Sequence, residues 1–329
     1  MNLNMSAKVS IVIPVYKVEK YIERCVRSLF EQTLDSIEYI FVDDCSPDNS
    51  IAVMEKVLAE YPHRKDQVKI IRHEVNQGVG ATRNHGVAAC TGDYVIHCDP
   101  DDWVDLNMYE KLYNKAVETD ADMVMCSFEE HKENLVTRVP MQTYSEIHDL
   151  FKEYFNTAVF NSLWNKIFRA SVAKSPMIIP DEIIMGEDLL RVSQMLMRCK
   201  KISYETTVFY HYFRNETSMT NVFNIQYHHG ALKIINILKD VMPCDLAYLL
   251  DSVSMGMLYD SIRYSCKEYD FLFTCYWRRD YWRSTKRGIY KDRRITVARK
   301  IILYCGCINY RLACRLFPMF NKLKAIIRK

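Results

Sequence analysis

Four short apolar runs, at 9–15, 37–42, 68–72 and 94–98, do most to constrain how this chain folds. Each is rich in Val, Ile, Tyr or Phe and ends in polar residues. Segments with helical periodicity separate them, at about 18–32, 47–61 and 79–90. Alternation of this kind builds βαβ units with right-handed crossovers, so it predicts a mostly parallel sheet with helices on both faces. A further strand is expected at 122–128, and ligands of such sheets sit in the loops beyond the strand ends. The expected fold class is α/β, Rossmann-like, over 1–220, followed by a mainly helical region over 221–329.

Three strand ends carry polar clusters: Pro14-Val15-Tyr16, Asp43-Asp44 and Asp99-Pro100-Asp101-Asp102. The last places three carboxylates in four residues, an arrangement that repels itself unless a cation or hydrogen-bond donors compensate. Hard oxygen ligands of this type suit Mg2+ or Mn2+. The alternative is an acidic turn in which Asp102 or Asp105 caps the segment after Trp103. The glycines exclude two common nucleotide folds. The first βα turn, 14–19, contains none, and Gly78-Val79-Gly80-Ala81-Thr82-Arg83 lacks the third glycine of a dinucleotide fingerprint.

The 12 cysteines offer no paired zinc spacing, and a reduced cytoplasmic setting is the expectation. No apolar run reaches the length of about 18 residues that a membrane span needs. The net charge of +3 conceals an asymmetry: residues 277–329 hold 16 Lys/Arg and two Asp/Glu, leaving 28 basic and 39 acidic residues elsewhere. Over 295–329, Ile301, Cys305, Ile308, Leu312, Leu316, Phe320, Leu323 and Ile327 recur at helical spacing. Arg299, Lys300, Arg311, Arg315, Lys322 and Lys324 lie beside or opposite that stripe. A cationic amphipathic tail is expected to meet an anionic membrane surface from the cytoplasmic side, the alternative being that the stripe packs on the body and the charges are solvated. No recognition motif accompanies the charge, so nucleic acid is not an expected partner.

Several stretches together resemble family 2 glycosyltransferases with the GT-A fold, particularly those of bacterial surface-polysaccharide synthesis. They are Val9 to Tyr16, Phe41 to Asp48, the Asn76-Gln77-Gly78 to Ala81-Thr82-Arg83-Asn84 run, and Asp99-Pro100-Asp101-Asp102. Their order and spacing fit over about residues 8–220. Cys45 stands where a glycine is usual, and Pro100 where a small polar residue is usual. The resemblance implies transfer of a sugar from a nucleotide-sugar, UDP-linked by expectation, to a hydroxyl of a glycan or lipid-linked glycan. It implies dependence on Mn2+ or Mg2+ and inversion at the anomeric carbon. The rival is a catalytically silent nucleotide- or glycan-binding module.

Carried onto these residues, the resemblance implies that Pro14 and Tyr16 line the base pocket and that Asp43 or Asp44 accepts hydrogen bonds from base or ribose. Arg83 would reach the base or diphosphate, Asp99 the ribose or sugar, and Asp101 the metal. Asp188, beside Glu187 at a helix start, would be the general base, although acids there also serve as plain helix-start charges. Trp164 and Lys166 would meet the acceptor, their alternative being core and a solvated neighbour. Arg214, in a late basic loop with Ser218 and Thr220, would close over the diphosphate, its alternative being a surface arginine.

Overall fold

The computed structural model describes residues 7–133, 135–155, 161–180, 183, 185–214, 225–244, 246, 249–250, 297–308 and 313–317. The chain divides into two compact units. One comprises Met1–Phe151 with Val159–Asn224, the other Lys152–Ala158 with Ile225–Lys329.

The first unit opens with β1 (Val9–Val15), all seven residues of which are buried. Helix α1 (Ile22–Phe30) follows, burying Ile22, Cys25, Val26, Leu29 and Phe30. It starts later than the expected 18, because 18–21 form a turn closed by the Tyr21 and Ile22 amides donating to the Val18 carbonyl. Then come β2 (Ile37–Asp43), α2 (Ser50–Leu58), a 3-10 turn at Pro62–Gln67, β3 (Val68–Arg72), α3 (Gly78–Ala89) and β4 (Tyr94–His97). These four strands pair in parallel in the order β3-β2-β1-β4.

Beyond β4 the sheet becomes mixed. The elements are β5 (Trp103–Val104), α4 (Met108–Thr119), β6 (Met123–Lys132), β7 (Leu135–Val139), α5 (Ile147–Phe155) and β8 (Lys166–Arg169). They continue with α6 (Ala170–Ala173), α7 (Glu187–Leu196) and β9 (Ile202–Phe213). Strand β8 inserts antiparallel between β4 and β6, β9 runs parallel to β6, and β5 and β7 pair antiparallel with β9 and β6. Parallel pairing thus holds for the β3-β2-β1-β4 half of the sheet, and β8 reverses the direction.

Pro14 is tolerated in the central strand β1 for a geometric reason. The Val12 carbonyl accepts from Cys98, so the even residues of β1 hydrogen-bond toward β4. Pairing with β4 ends at Val12 opposite His97, so the missing donor of Pro14 faces past the end of that strand. The largest buried cluster joins β1, β2 and β4 to α1 and α4 through residues such as Ile11, Ile13, Leu29, Phe41, Ile96 and Leu112.

In the second unit α8 (Ile225–Val241) buries Ile234, Ile235 and Leu238. Helix α9 (Val297–Ile308) buries Ile302 and Leu303. Ile301, placed in the expected apolar stripe, is instead 44% exposed, and Val297 one turn earlier is 73% exposed. The packed face of α9 is therefore neighbour to the expected stripe. Among the described residues no helix is long and apolar enough to cross a membrane. The expected helices between 251 and 269 lie outside the described residues, as do Ser218, Thr220, Arg311, Leu312, Phe320, Lys322, Leu323, Lys324 and Ile327.

Candidate active site

The loops after β1 and β2 are stitched to each other. Lys17 and Val18 donate their amides to the hydroxyls of Ser46 (2.8 Å) and Ser50 (3.0 Å). Asp48 accepts the Glu19 amide (3.1 Å) and the hydroxyls of Ser46 (2.7 Å) and Ser50. Burial disfavours the Asp48 anion, but the bonds from Ser50 and Ser46 win and hold its pKa below the usual value. Tyr16, 40% exposed, stands at the mouth of this loop pair. Cys45 adopts φ +55°, the left-handed conformation that explains why glycine is usual here.

The two acids after β2 have separate fates. Asp43 accepts the Ser46 amide at 2.9 Å and stays partly exposed. Asp44 is 3% exposed and takes the Gln77 and Gly78 amides at 2.8 Å each. It also meets His73 Nδ1 at 2.7 Å, and the other ring nitrogen of His73 meets His85. Asp44 thus satisfies the amides at the start of α3, and of the two acids expected to meet base or ribose Asp43 is the one left partly exposed.

The acidic loop after β4 is also divided. Asp102 is fully buried, accepting the Tyr210 hydroxyl (2.6 Å) and the Phe213 amide (2.7 Å). It ties the loop to β9, and neither it nor Asp105 caps α4 by its side chain, contrary to the capping alternative. Arg24 donates to the Asp101 carbonyl (2.9 Å) and lies 3.7 Å over the Trp103 ring. Asp99 receives Arg83 at 2.8 Å. Asp101 makes no ion pair among the described residues. Burial, then the charge of Asp99, pushes its pKa up to about 6. An anion held at such a disadvantage beside another carboxylate fits a divalent cation.

Arg83 is 6% exposed and joins this loop to α7 through Glu187 and Asp99. Burial opposes its charge, but Asp99, Glu187 and Asp188 overrule it and make it more basic. Both terminal nitrogens of Arg83, expected to reach base or diphosphate, are engaged by acids. Gly186 supplies the turn before α7 with φ +86°, so the helix begins directly with Glu187-Asp188. Burial and the neighbouring Asp188 lift Glu187 to about 7, against the pull of Arg83. Asp188 is raised by burial and by Asp99, with Arg83 opposing. It accepts the Leu189 amide at 3.1 Å and pairs with no cation among the described residues.

The expected acceptor pair lies in the core. Trp164 is 5% exposed, stacked on Tyr210 (4.3 Å, 9°) and Tyr212 (5.7 Å, 13°). Lys166 is fully buried in β8, donating to the Ser162 carbonyl (2.7 Å) and Asn165 Oδ1 (2.8 Å). Burial lowers its pKa to about 7. Neither side chain is presented to an acceptor. Arg214 is exposed and pairs with Glu130 at 3.1 Å, so it does not enter the acidic cluster. Sequence reasoning missed Arg24, Tyr210 and His73, which hold the site's loops; none sits in a recognisable motif.

A family profile described as "Glycosyl transferase family 2" matches residues 10–175, half of the chain. The chain belongs to glycosyl transferase family 2. EpsH of Bacillus subtilis, a protein named as a glycosyltransferase, is 31% identical over 212 residues, 62% of this chain and 60% of that protein. EpsJ of the same organism, an uncharacterised glycosyltransferase, is 29% identical over 222 residues, 65% of this chain and 63% of that one. The chain thus spans less than two thirds of the length of these curated relatives. Residues 1–349 of S. aureus TarS, solved with UDP-GlcNAc, superpose with a TM-score of 0.71 at 18% identity, covering 95% of this chain and 92% of that one. The family 2 chain therefore has the GT-A fold.

Proposed function

We propose that the protein moves a hexosyl or N-acetylhexosaminyl group from a nucleotide-sugar to a hydroxyl of a glycan or lipid-linked glycan acceptor in surface-polysaccharide synthesis. The observation that carries this reading is the convergence of Asp99, Asp101, Arg83 and the Glu187-Asp188 pair at the strand ends of β1, β2 and β4. TarS, solved with UDP-GlcNAc, makes a uridine donor the first to test.

The roles follow from the surroundings of each group. The stitched loops after β1 and β2, with Tyr16 and Asp43 at their mouth, form a fixed wall for base and ribose. Arg83 binds Asp99 and Glu187 through its two terminal nitrogens, which leaves Asp188 as the member of the Glu187-Asp188 pair without an ion pair among the described residues. Asp188 takes the proton of the acceptor hydroxyl as its oxygen attacks the anomeric carbon, while the bond to the diphosphate breaks. One displacement of this kind inverts the anomeric centre. Asp101 and Asp99 would hold a divalent cation, Mn2+ or Mg2+, which would neutralise charge on the departing diphosphate. The raised pKa of Asp188 suits a base, because it lies nearer the operating pH.

The test is release of nucleoside diphosphate in the presence of acceptor. Asp188→Asn is expected to lower kcat by about 10²–10⁴ with donor binding retained. Unchanged turnover in Asp188→Asn removes Asp188 as the base. The basic 295–329 segment supports peripheral attachment at the inner membrane face, where a lipid-linked acceptor lies.

A further inference from the structure

Strands β6 and β9 bring together three ligand-bearing side chains that the transfer reaction does not use. Glu129 lies opposite His211 in the parallel register, and His131, two residues on, emerges on the same face as Glu129. Nε2 of His131 is 3.1 Å from Nδ1 of His211. The Glu129 carboxylate is 3.8 Å from the first nitrogen and 3.7 Å from the second. A tetrahedral ion with bonds of about 2.0–2.2 Å has ligands about 3.4 Å apart, so this triangle has the dimensions of one face of such a site.

The surroundings fix the chemistry. Nε2 of His211 faces Asp105 Oδ1 at 3.0 Å, which places that ring's proton on Nε2 and aims the Nδ1 lone pair into the triangle. Trp103 stacks on His211 (5.1 Å, 7°) and touches His131 (4.5 Å), which holds both rings. The charges nearby are Arg138, 3.6 Å from Glu129, Arg24 over Trp103, and Asp105. The three side chains remain 14–21% exposed, so a fourth position is open to water.

We propose that Glu129, His131 and His211 form a binding site for a transition-metal dication of the Zn2+ class, separate from the all-oxygen Asp101 site. Two imidazoles and one carboxylate select Zn2+ or Co2+ over Mg2+. On binding, the His131 proton resides on Nδ1 and both facing nitrogens donate lone pairs to the ion. The ion clasps β6 to β9 beside the register shift at Cys126–Phe128, two residues from the Phe213 amide that holds Asp102.

The experiment uses the full chain, stripped with chelator, as the Asp101→Ala variant so that the acidic loop contributes no binding. Zn2+ is titrated by calorimetry, and Co2+ by its visible absorption and by quenching of Trp103 fluorescence. One equivalent is expected to bind, raise Tm and quench, with Mg2+ in equal amount unable to compete. His211→Gln and Glu129→Gln, each shown to be folded by its metal-free melting curve, are expected to weaken binding at least 100-fold. Asp105→Asn is expected to weaken it about 10–100-fold. Absence of saturable Zn2+ binding in Asp101→Ala, or undiminished affinity in both ligand variants, overturns the proposal.

Discussion

Above about pH 6 Asp101 is ionised at a cost to the fold, and that cost is measurable. Its ordinary pKa of 3.8 rises to about 6 in the fold, so the folded state prefers the protonated acid. The associated stability is complete below about pH 4 and is lost as pH rises through about 6. Asp101→Asn removes that loss. It is expected to be more stable than wild type at pH 7 by about 1–3 kcal/mol and equal near pH 4, read by metal-free melting curves at both pH values. Its stability should also stop responding to Mn2+. Arg83 acts in the opposite sense. Arg83→Met leaves buried Glu187 without its cation and half-buried Asp99 unpaired, with an expected loss of about 3–5 kcal/mol in urea unfolding. The carboxylates of the acidic loop are legible in the sequence because they are adjacent. The Arg83–Glu187 contact spans 104 positions and is not. Trp164 and Lys166 mislead for a related reason: a tryptophan and a lysine look like a ligand surface until β8 is known to lie between β4 and β6.

Among elements, the seating of α3 on the sheet decides where Arg83 arrives. Gly86 is the close-approach point. A Cβ there would overlap Val12 Cγ1 and lie 3.3 Å from Val42 Cγ2, both on rigid buried strands. Gly86→Ala is expected to cost about 1–3 kcal/mol and to lower donor affinity together with stability, as denaturant midpoints and nucleotide titrations would show. Cys45→Gly should do no such harm, since φ +55° suits glycine. Strands β1, β2 and β4 are legible as β-branched, buried runs between turn signals, and the partly exposed β3 by its short β-branched run alone. Strand β8, four residues long, and β5, two residues long, have no length over which a period shows. Their placement depends on pairing with β4 and β9, which no local pattern encodes. The switch from parallel to mixed sheet therefore lies beyond a reading of the alternation alone.

For the whole molecule, the acidic body and the basic 277–329 segment are fully legible from charge counts, and they predict a salt-dependent encounter with anionic lipid. Vesicles carrying anionic lipid are expected to float the full chain at low salt. Reversal of Arg299, Lys300 and Arg315 to Glu should abolish flotation, and zwitterionic vesicles should not float it at all. A metal-assisted nucleotide-sugar site at the ends of β1, β2 and β4 has a more direct test. Melting temperatures are recorded with UDP, GDP, ADP, CDP and dTDP, each with and without Mn2+, for wild type and Asp101→Ala. A ligand that binds only the folded state raises Tm. The expected result is stabilisation by UDP that requires Mn2+ and vanishes in Asp101→Ala. No shift with any nucleotide would contradict the claim and leave a silent glycan-binding module as the reading of this fold.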